Sequence, residues 1–269
     1  MLNPSFFNSI FVFPILNLLV LLYKSFLFIK LPGAFGFAII GLTMIIRGLF
    51  NPFFKKQMET SKKMADLKPH LDKLSERHKD DKKQLQAEQM KLYQQAGINP
   101  TSGCLFMIIQ IPVFIALYQT LSLFLVSGTK AISRINQVLY SPSLRILSLD
   151  SWFFGFDLTK TPKSAGTWIY YLVPVITGLL QYLQAQATMP PSSAHATAGK
   201  PNKDGKEDSS ADFQKAMSTQ MKYLFPVMIG WFAFTLPVGL SLYWNVFSLF
   251  SIIQYQQSKK SKSEIQITK

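Results

Sequence analysis

The sequence predicts an all-helical protein that crosses a membrane several times. Three observations carry that expectation. Of its 269 residues, 48% are apolar and only 16% charged, a balance too greasy for an ordinary soluble domain. Apolar runs recur at about 6–29, 33–54, 103–126, 168–187 and 223–255, and about 20 helical residues cross the hydrocarbon core of a bilayer. Lysine and arginine collect in the stretches between these runs, as they do in cytoplasmic loops.

Taken in order, residues 1–32 form the ambiguous element. Leu16, Leu19, Val20, Tyr23, Phe26 and Leu27 recur at helical spacing, while Pro14, Asn17, Lys24 and Ser25 interrupt the run. That pattern fits a span, or an amphipathic helix lying in the interface. It lacks the basic start and small-residue cleavage site of a signal peptide. Residues 33–54 form a span that contains one charge, Arg47. Residues 55–100 are dense in Lys, Glu, Asp and Gln. Met64, Leu67, Leu71 and Leu74, then Leu85, Gln89 and Leu92, recur at helical spacing about a polar His78-Lys79-Asp80-Asp81 turn. They predict an antiparallel helical hairpin, with a kink at Pro69, which lacks a backbone donor.

Residues 101–127 form the next span, and 128–167 a loop on the opposite side from the hairpin. Residues 168–187 are a further span. Residues 188–222, rich in Pro, Gly, Ser and Lys, read as a flexible linker. The apolar run within 223–257 is too long for one crossing. It folds back at Thr235-Leu236-Pro237-Val238-Gly239, because Pro and Gly punctuate helices. Residues 258–269 are a basic, disordered tail.

Eleven Lys and Arg fall in 55–102, five in 188–222 and four in 256–269, against five in 127–167 on the other side. The hairpin, the linker and the C-terminus therefore belong in the cytoplasm. The net charge of +14 reads as topology plus attraction to anionic lipid head groups, rather than as a nucleic-acid surface.

The most informative residue is Arg47. Its guanidinium stays charged at any physiological pH, and a helix-centre arginine costs about 3 kcal/mol on insertion scales. Counted from Lys55, Arg47 lies about 12 Å deep at 1.5 Å per residue. Thr43 lies one turn further in on the same face. Gln110, counted from Ser102, lies at a matching depth of about 12 Å. Gln181, Gln184 and Asn245 add uncharged polar groups on two other runs. Hydrocarbon penalises each of them separately, so they predict one shared hydrophilic cavity. The competing readings are that Arg47 snorkels to the inner head groups and that the amides bond between helices. No acidic residue lies in any of these runs, which removes a structural ion pair as the reason for Arg47.

Other chemistries find little support. His70, His78 and His195 all fall outside the apolar runs, and no H-E-x-x-H or G-x-x-x-x-G-K-[ST] pattern occurs. Neither a metal site, nor a cofactor, nor nucleotide binding, nor enzymatic catalysis is expected. The single cysteine, Cys104, excludes an intramolecular disulfide.

Several segments carry a resemblance in the same order along the chain. Thr43-Met44-Ile45-Ile46-Arg47 with Asn51-Pro52, Asn99-Pro100-Thr101-Ser102-Gly103 through Gln110-Ile111-Pro112, Phe156-Asp157-Leu158-Thr159, Tyr170-Tyr171-Leu172-Val173-Pro174 and Phe234-Thr235-Leu236-Pro237-Val238-Gly239-Leu240 together resemble the YidC/Oxa/Alb family of membrane protein insertases, in the bacterial form without a large outer domain. The resemblance covers roughly residues 14–257. Leu105-Phe106 departs from it, standing where many members carry a proline second.

The resemblance implies five core transmembrane helices around an inner-leaflet hydrophilic groove, open to the cytoplasm and closed outside. By likeness, Arg47, Thr43, Gln110, Gln181 and Asn245 belong to that groove, and Tyr243 and Trp244 form its aromatic wall. The cytoplasmic hairpin, with Lys56, Lys63, Lys73, Arg77, Lys82 and Lys83, helps recruit substrate. Residues 14–30 become an amphipathic helix on the outer face. The implied partners are nascent membrane proteins and the lipid bilayer, with ribosome and secretion-channel contacts; the implied location is the bacterial cell membrane, with the C-terminus in the cytoplasm.

Overall fold

The computed structural model describes residues 5–78, 81–98, 102–126, 128–188 and 220–267, without the side chains of 82, 102–110, 126, 128–131, 220–221 and 258–267. A short π-helical turn, Asn8–Val12, leads into α1 (Phe13–Phe28), followed by α2 (Ala34–Leu49) and α3 (Asn51–Asp66). Then come α4 (Lys68–Arg77), α5 (Lys82–Gln95), α6 (Ser102–Val126) and α7 (Gly128–Gln137). Two short strands, β1 (Trp152–Phe153) and β2 (Phe156–Asp157), pair antiparallel with Phe153 opposite Phe156. The chain closes with α8 (Leu172–Thr188), α9 (Phe225–Ala233) and α10 (Val238–Ile267). Among the described residues the fold is therefore mostly helical, as the hydropathy pattern leads one to expect.

Local sequence explains where helices break. α2 stops at Leu49, and α3 leaves at 67° to it after Phe50. Pro52 sits in the first turn of α3, where its missing N–H costs nothing but would break a helix continued through it. Pro69 likewise stands in the first turn of α4, after the break at Leu67. α4 and α5 pack on one another, with His78 Nε2 3.6 Å from Glu88 Oε2 across the pair. Asp81 caps α5 by accepting from the Gln84 N–H at 3.0 Å. Beyond Gly239 the chain contains neither Gly nor Pro, and α10 runs on to Ile267, through most of the stretch that composition marks as a disordered tail. The linker expected at 188–222 lies almost entirely outside the described residues.

Among the described residues, Asn8–Phe28 is the one helix whose length and hydropathy alone suffice for a span. α2 and α3 meet the same test jointly across their bend, and Ile111–Leu125 is a shorter apolar stretch. α10 packs against α2, α6 and α8, which makes it the centre of the bundle. α8 also packs on α9, where Gly178 faces Gly230. Val175, Leu179, Val227 and Trp231 leave an exposed apolar flank on that pair. The core runs through Leu16, Leu19, Phe35, Ile39, Leu117, Leu121 and Leu240.

The segment between α7 and α8 builds a tightly bonded end to the bundle, here termed the β end. Asn17 on α1 donates to the Val138 carbonyl at 3.2 Å and accepts from the Tyr140 N–H at 2.7 Å. Lys24 donates to the carbonyls of Ser143 and Arg145, and the Tyr23 hydroxyl accepts from the Asp150 N–H. Phe153 lies so close to Gly36 that a Cβ there would stand 2.1 Å from its ring. Asp157 gathers three bonds on Oδ1, from the Ser151 hydroxyl, the Thr159 hydroxyl and the Thr159 N–H. Burial pushes its carboxyl up, but those hydrogen bonds and the charge of Lys160 outweigh it and hold the group below its ordinary value. The start of α10 is secured here too. The Val238 and Gly239 N–H groups donate to the carbonyls of Lys160 and Leu158, each at 2.9 Å. A Cβ on Gly239 would meet Leu158 O at 3.3 Å. The Phe156–Thr159 and Leu236–Gly239 motifs are thus two halves of one joint.

Candidate polar groove of the helix bundle

Arg47 lies in the last turn of α2, and α2 places it against α10. The residue is 3% exposed. Its Nη2 donates to the Phe247 carbonyl at 3.0 Å, and its Nη1 to Gln254 Oε1 at 3.4 Å. The guanidinium carbon sits 4.0 Å from the Phe247 ring centre and 4.2 Å from that of Phe54. Those two rings are set at 70° to each other, so the cation lies in the angle between their faces. Desolvated cation–π contacts reach about 2 kcal/mol each, so the two are of the same order as the about 3 kcal/mol cost of an arginine at a helix centre. Among the described residues no carboxylate pairs with Arg47, and its Nε is buried without a hydrogen-bond partner.

The other candidate residues spread over the same helices. Thr43, one turn before Arg47, is buried and returns its hydroxyl to the Ile39 carbonyl at 2.7 Å. Gln181 on α8 is buried and donates to the Ser248 hydroxyl of α10 at 3.1 Å. Tyr243 and Trp244 are buried on α10. Tyr243 lies 6.0 Å from the Phe247 ring, and Trp244 stacks on Phe114 of α6 at 5.7 Å. Asn245, on the same turn, keeps a buried Oδ1 without a partner. Gln110 falls within α6, but its side chain lies outside the described residues. On the helical hairpin, Lys56, Lys63, Lys73, Arg77 and Lys83 are all exposed, and the side chain of Lys82 is not described.

The structure adds residues that sequence reading passed over. Thr120 on α6 and Ser241 on α10 are fully buried, each with a hydroxyl oxygen lacking a partner; so does the buried Oε1 of Gln184 on α8 lack one, a residue the sequence already singles out. Phe54, Phe247 and Gln254 surround Arg47, and Gln254 also donates to Asn51 Oδ1 at 3.1 Å. Ser and Thr give little signal in apolar helices because they pack as small residues. One Phe among 23 gives none.

Chemically, among the described residues the interior offers one fixed cation and a scatter of neutral donors and acceptors, several of them unpaired. A buried polar group without a partner costs about 1–3 kcal/mol. Such a set is retained where water or a polar guest supplies the missing bonds. It holds no metal-binding group of His, Cys, Asp and Glu among the described residues.

Comparison with known proteins shows the family. Residues 27–264 match the family model described as 60Kd inner membrane protein. The chain is 32% identical over 257 residues to the membrane protein insertase MisCA of Bacillus subtilis, covering 94% of this chain and 78% of that one. It is 29% identical over 263 residues to the membrane protein insertase YidC of Oceanobacillus iheyensis, covering 94% and 83%. It is 33% identical over 238 residues to the chloroplastic inner membrane protein ALBINO3 of Arabidopsis thaliana, covering 86% of this chain and 48% of the relative. The chain thus spans about half the length of its plastid relatives.

Proposed function

The chain belongs to the 60Kd inner membrane protein family, the YidC/Oxa/Alb family, and we propose that it works as a membrane protein insertase. In this reading it moves polar segments of nascent membrane proteins through a charged half-membrane groove and releases their apolar helices into lipid. The observation that carries the reading is Arg47, a guanidinium buried in an apolar helix with no acidic partner among the described residues. A polar segment crossing hydrocarbon loses water from its backbone groups. A polar interior shortens that dry path, and a cation in a low-dielectric setting attracts a carboxylate more strongly than it would in water.

The proposed roles follow from position. Arg47 receives an acidic segment, with Thr43, Gln110, Gln181 and Asn245 supplying neutral hydrogen-bond partners. Tyr243 and Trp244 form the apolar wall along which a substrate helix slides. The β end closes the outside; its bonds from Asn17, Tyr23 and Lys24 to residues 138–150 support the reading that α1 lies along the outer face. The exposed cations of α3, α4 and α5 face the cytoplasm and recruit substrate, with the ribosome and the secretion channel as further contacts. We place the protein in the bacterial cell membrane with five core spans and a cytoplasmic C-terminus.

The test is insertion of a single-span protein with an acidic translocated tail into liposomes containing only this protein. Wild type should insert it, and a correctly folded Arg47→Ala variant should lose about tenfold or more, equivalent to about 1.4 kcal/mol. Arg47→Lys should retain most activity if a point charge suffices, and lose it if the planar fork is required. Equal insertion by wild type and Arg47→Ala would overturn the role of the charge.

A further inference from the structure

The contacts of Arg47 point beyond its presence in the groove to how it is held. Its partners come from both sides of a seam. Asn51 and Phe54 lie in the first turn of α3, just past the 67° bend. Phe247 and Gln254 lie two turns apart on α10. Gln254 joins the two sides, accepting from Arg47 at one oxygen and donating to Asn51 from its nitrogen. Every acceptor Arg47 uses is neutral. The main one, the Phe247 carbonyl, already accepts from the Ser251 hydroxyl at 2.8 Å.

We propose that Phe54, Phe247 and the Asn51–Gln254 pair form a clasp that positions the Arg47 guanidinium and keeps it covered until an acidic segment arrives. This rests on the insertase reading above and adds the regulation of its charged residue. Binding is then an exchange. A substrate carboxylate replaces the shared Phe247 carbonyl and the Gln254 amide as hydrogen-bond partner. The clasp bonds already draw on the charge of the guanidinium, but a carboxylate adds the attraction between two full charges, so it wins the exchange and a passing backbone carbonyl does not. The clasp thereby sets a threshold that favours acidic segments. Because Asn51 and Phe54 stand beyond the bend, the same exchange unties the first turn of the cytoplasmic hairpin from α10.

The test reads the cover directly. The full chain in lipid vesicles is treated with phenylglyoxal, a small membrane-permeant guanidinium reagent, and the rate at each arginine is followed by mass spectrometry. Arg77, Arg134 and Arg145 are exposed internal references. In wild type Arg47 should react at least about tenfold more slowly than Arg77, the size of one or two desolvated cation–π contacts. Phe247→Leu, Phe54→Leu and Gln254→Ala should each bring Arg47 toward the rate of Arg77, while Phe247→Tyr, which keeps a ring face, should preserve the protection. Three partners on two helices keep the test alive if one variant fails to fold. Arg47 reacting as fast as Arg77 in wild type, or staying slow in all three weakened variants, overturns the clasp.

Insertion measured on the same vesicles separates the two readings. Protection that responds as expected, with no insertion by wild type, sinks the insertase reading and leaves the clasp. Insertion with unresponsive protection does the reverse.

Discussion

At the β end, Asn17, Asn136 and Asp157 each hold two or more hydrogen bonds to named partners. In the interior, Thr120, Ser241 and Asn245 hold buried oxygens with no partner among the described residues. The same kinds of side chain are used in opposite ways. Satisfied polar groups fix one geometry, and at the β end they tie α1, the strand pair and the start of α10 into a single closed joint. Unsatisfied ones cost stability and specify nothing by themselves; in the proposed insertase reading a guest completes their bonds. The proposed one-sided groove would need both, a rigid floor and an unfinished chamber above it.

The contrast can be broken by substitution, and the two regions should respond with opposite signs. Gly36→Leu drives a side chain into the Phe153 ring and should destabilise the protein by about 3 kcal/mol, as core overpacking does. Thermal unfolding in detergent checks this, and an unchanged midpoint would mean that the strand pair is not seated on α2. Asn17→Ala removes the bonds to Val138 and Tyr140 and leaves two part-buried backbone groups unpaired, at a cost of about 1 kcal/mol. By contrast, Thr120→Val keeps shape and deletes an unpaired oxygen. It should stabilise by up to about 1 kcal/mol while slowing insertion. A destabilised Thr120→Val variant would show that the hydroxyl is already bonded and that the chamber argument fails at that residue.

The smallest effect is a pH dependence confined to the β end. Asp157 has a lowered folded value, so its stabilisation is fully present above the unfolded carboxylate value and is lost as pH falls through the folded one. Fluorescence of Trp152, opposite Asp157 in the strand pair, should be steady from neutral pH down to about pH 4, the unfolded value, and change only below it. Asp157→Asn should remove that acid transition. A transition near neutrality instead would point to another group.

How much of this was legible in the sequence depends on how rare each signal is. Arg47 stood out because one cation interrupts an apolar run, and Gln181 and Asn245 because amides are scarce there. Asn17 was legible only as an interruption of α1. That it anchors residues 138 and 140, more than a hundred positions away, has no local trace. Asn51-Pro52 sits inside the apolar run 33–54, which hides the end of α2, and the 67° turn that lets Phe54 return to Arg47 depends on packing against α10. α7 and the strand pair were read as plain loop, since two-residue strands are too short for periodicity to register. Gln254 was missed because it lies past the middle of its apolar run, where a glutamine looks like the start of the cytoplasmic tail.

The central claim is that the unfinished chamber opens to the cytoplasm and is closed at the β end. A single cysteine placed in it, Asn245→Cys in a Cys104→Ser background, tests this with a charged, membrane-impermeant maleimide applied to oriented vesicles from one side at a time. The account predicts labelling from the cytoplasmic side and none from outside. Labelling from the outside, or from neither side with the protein folded, would contradict it.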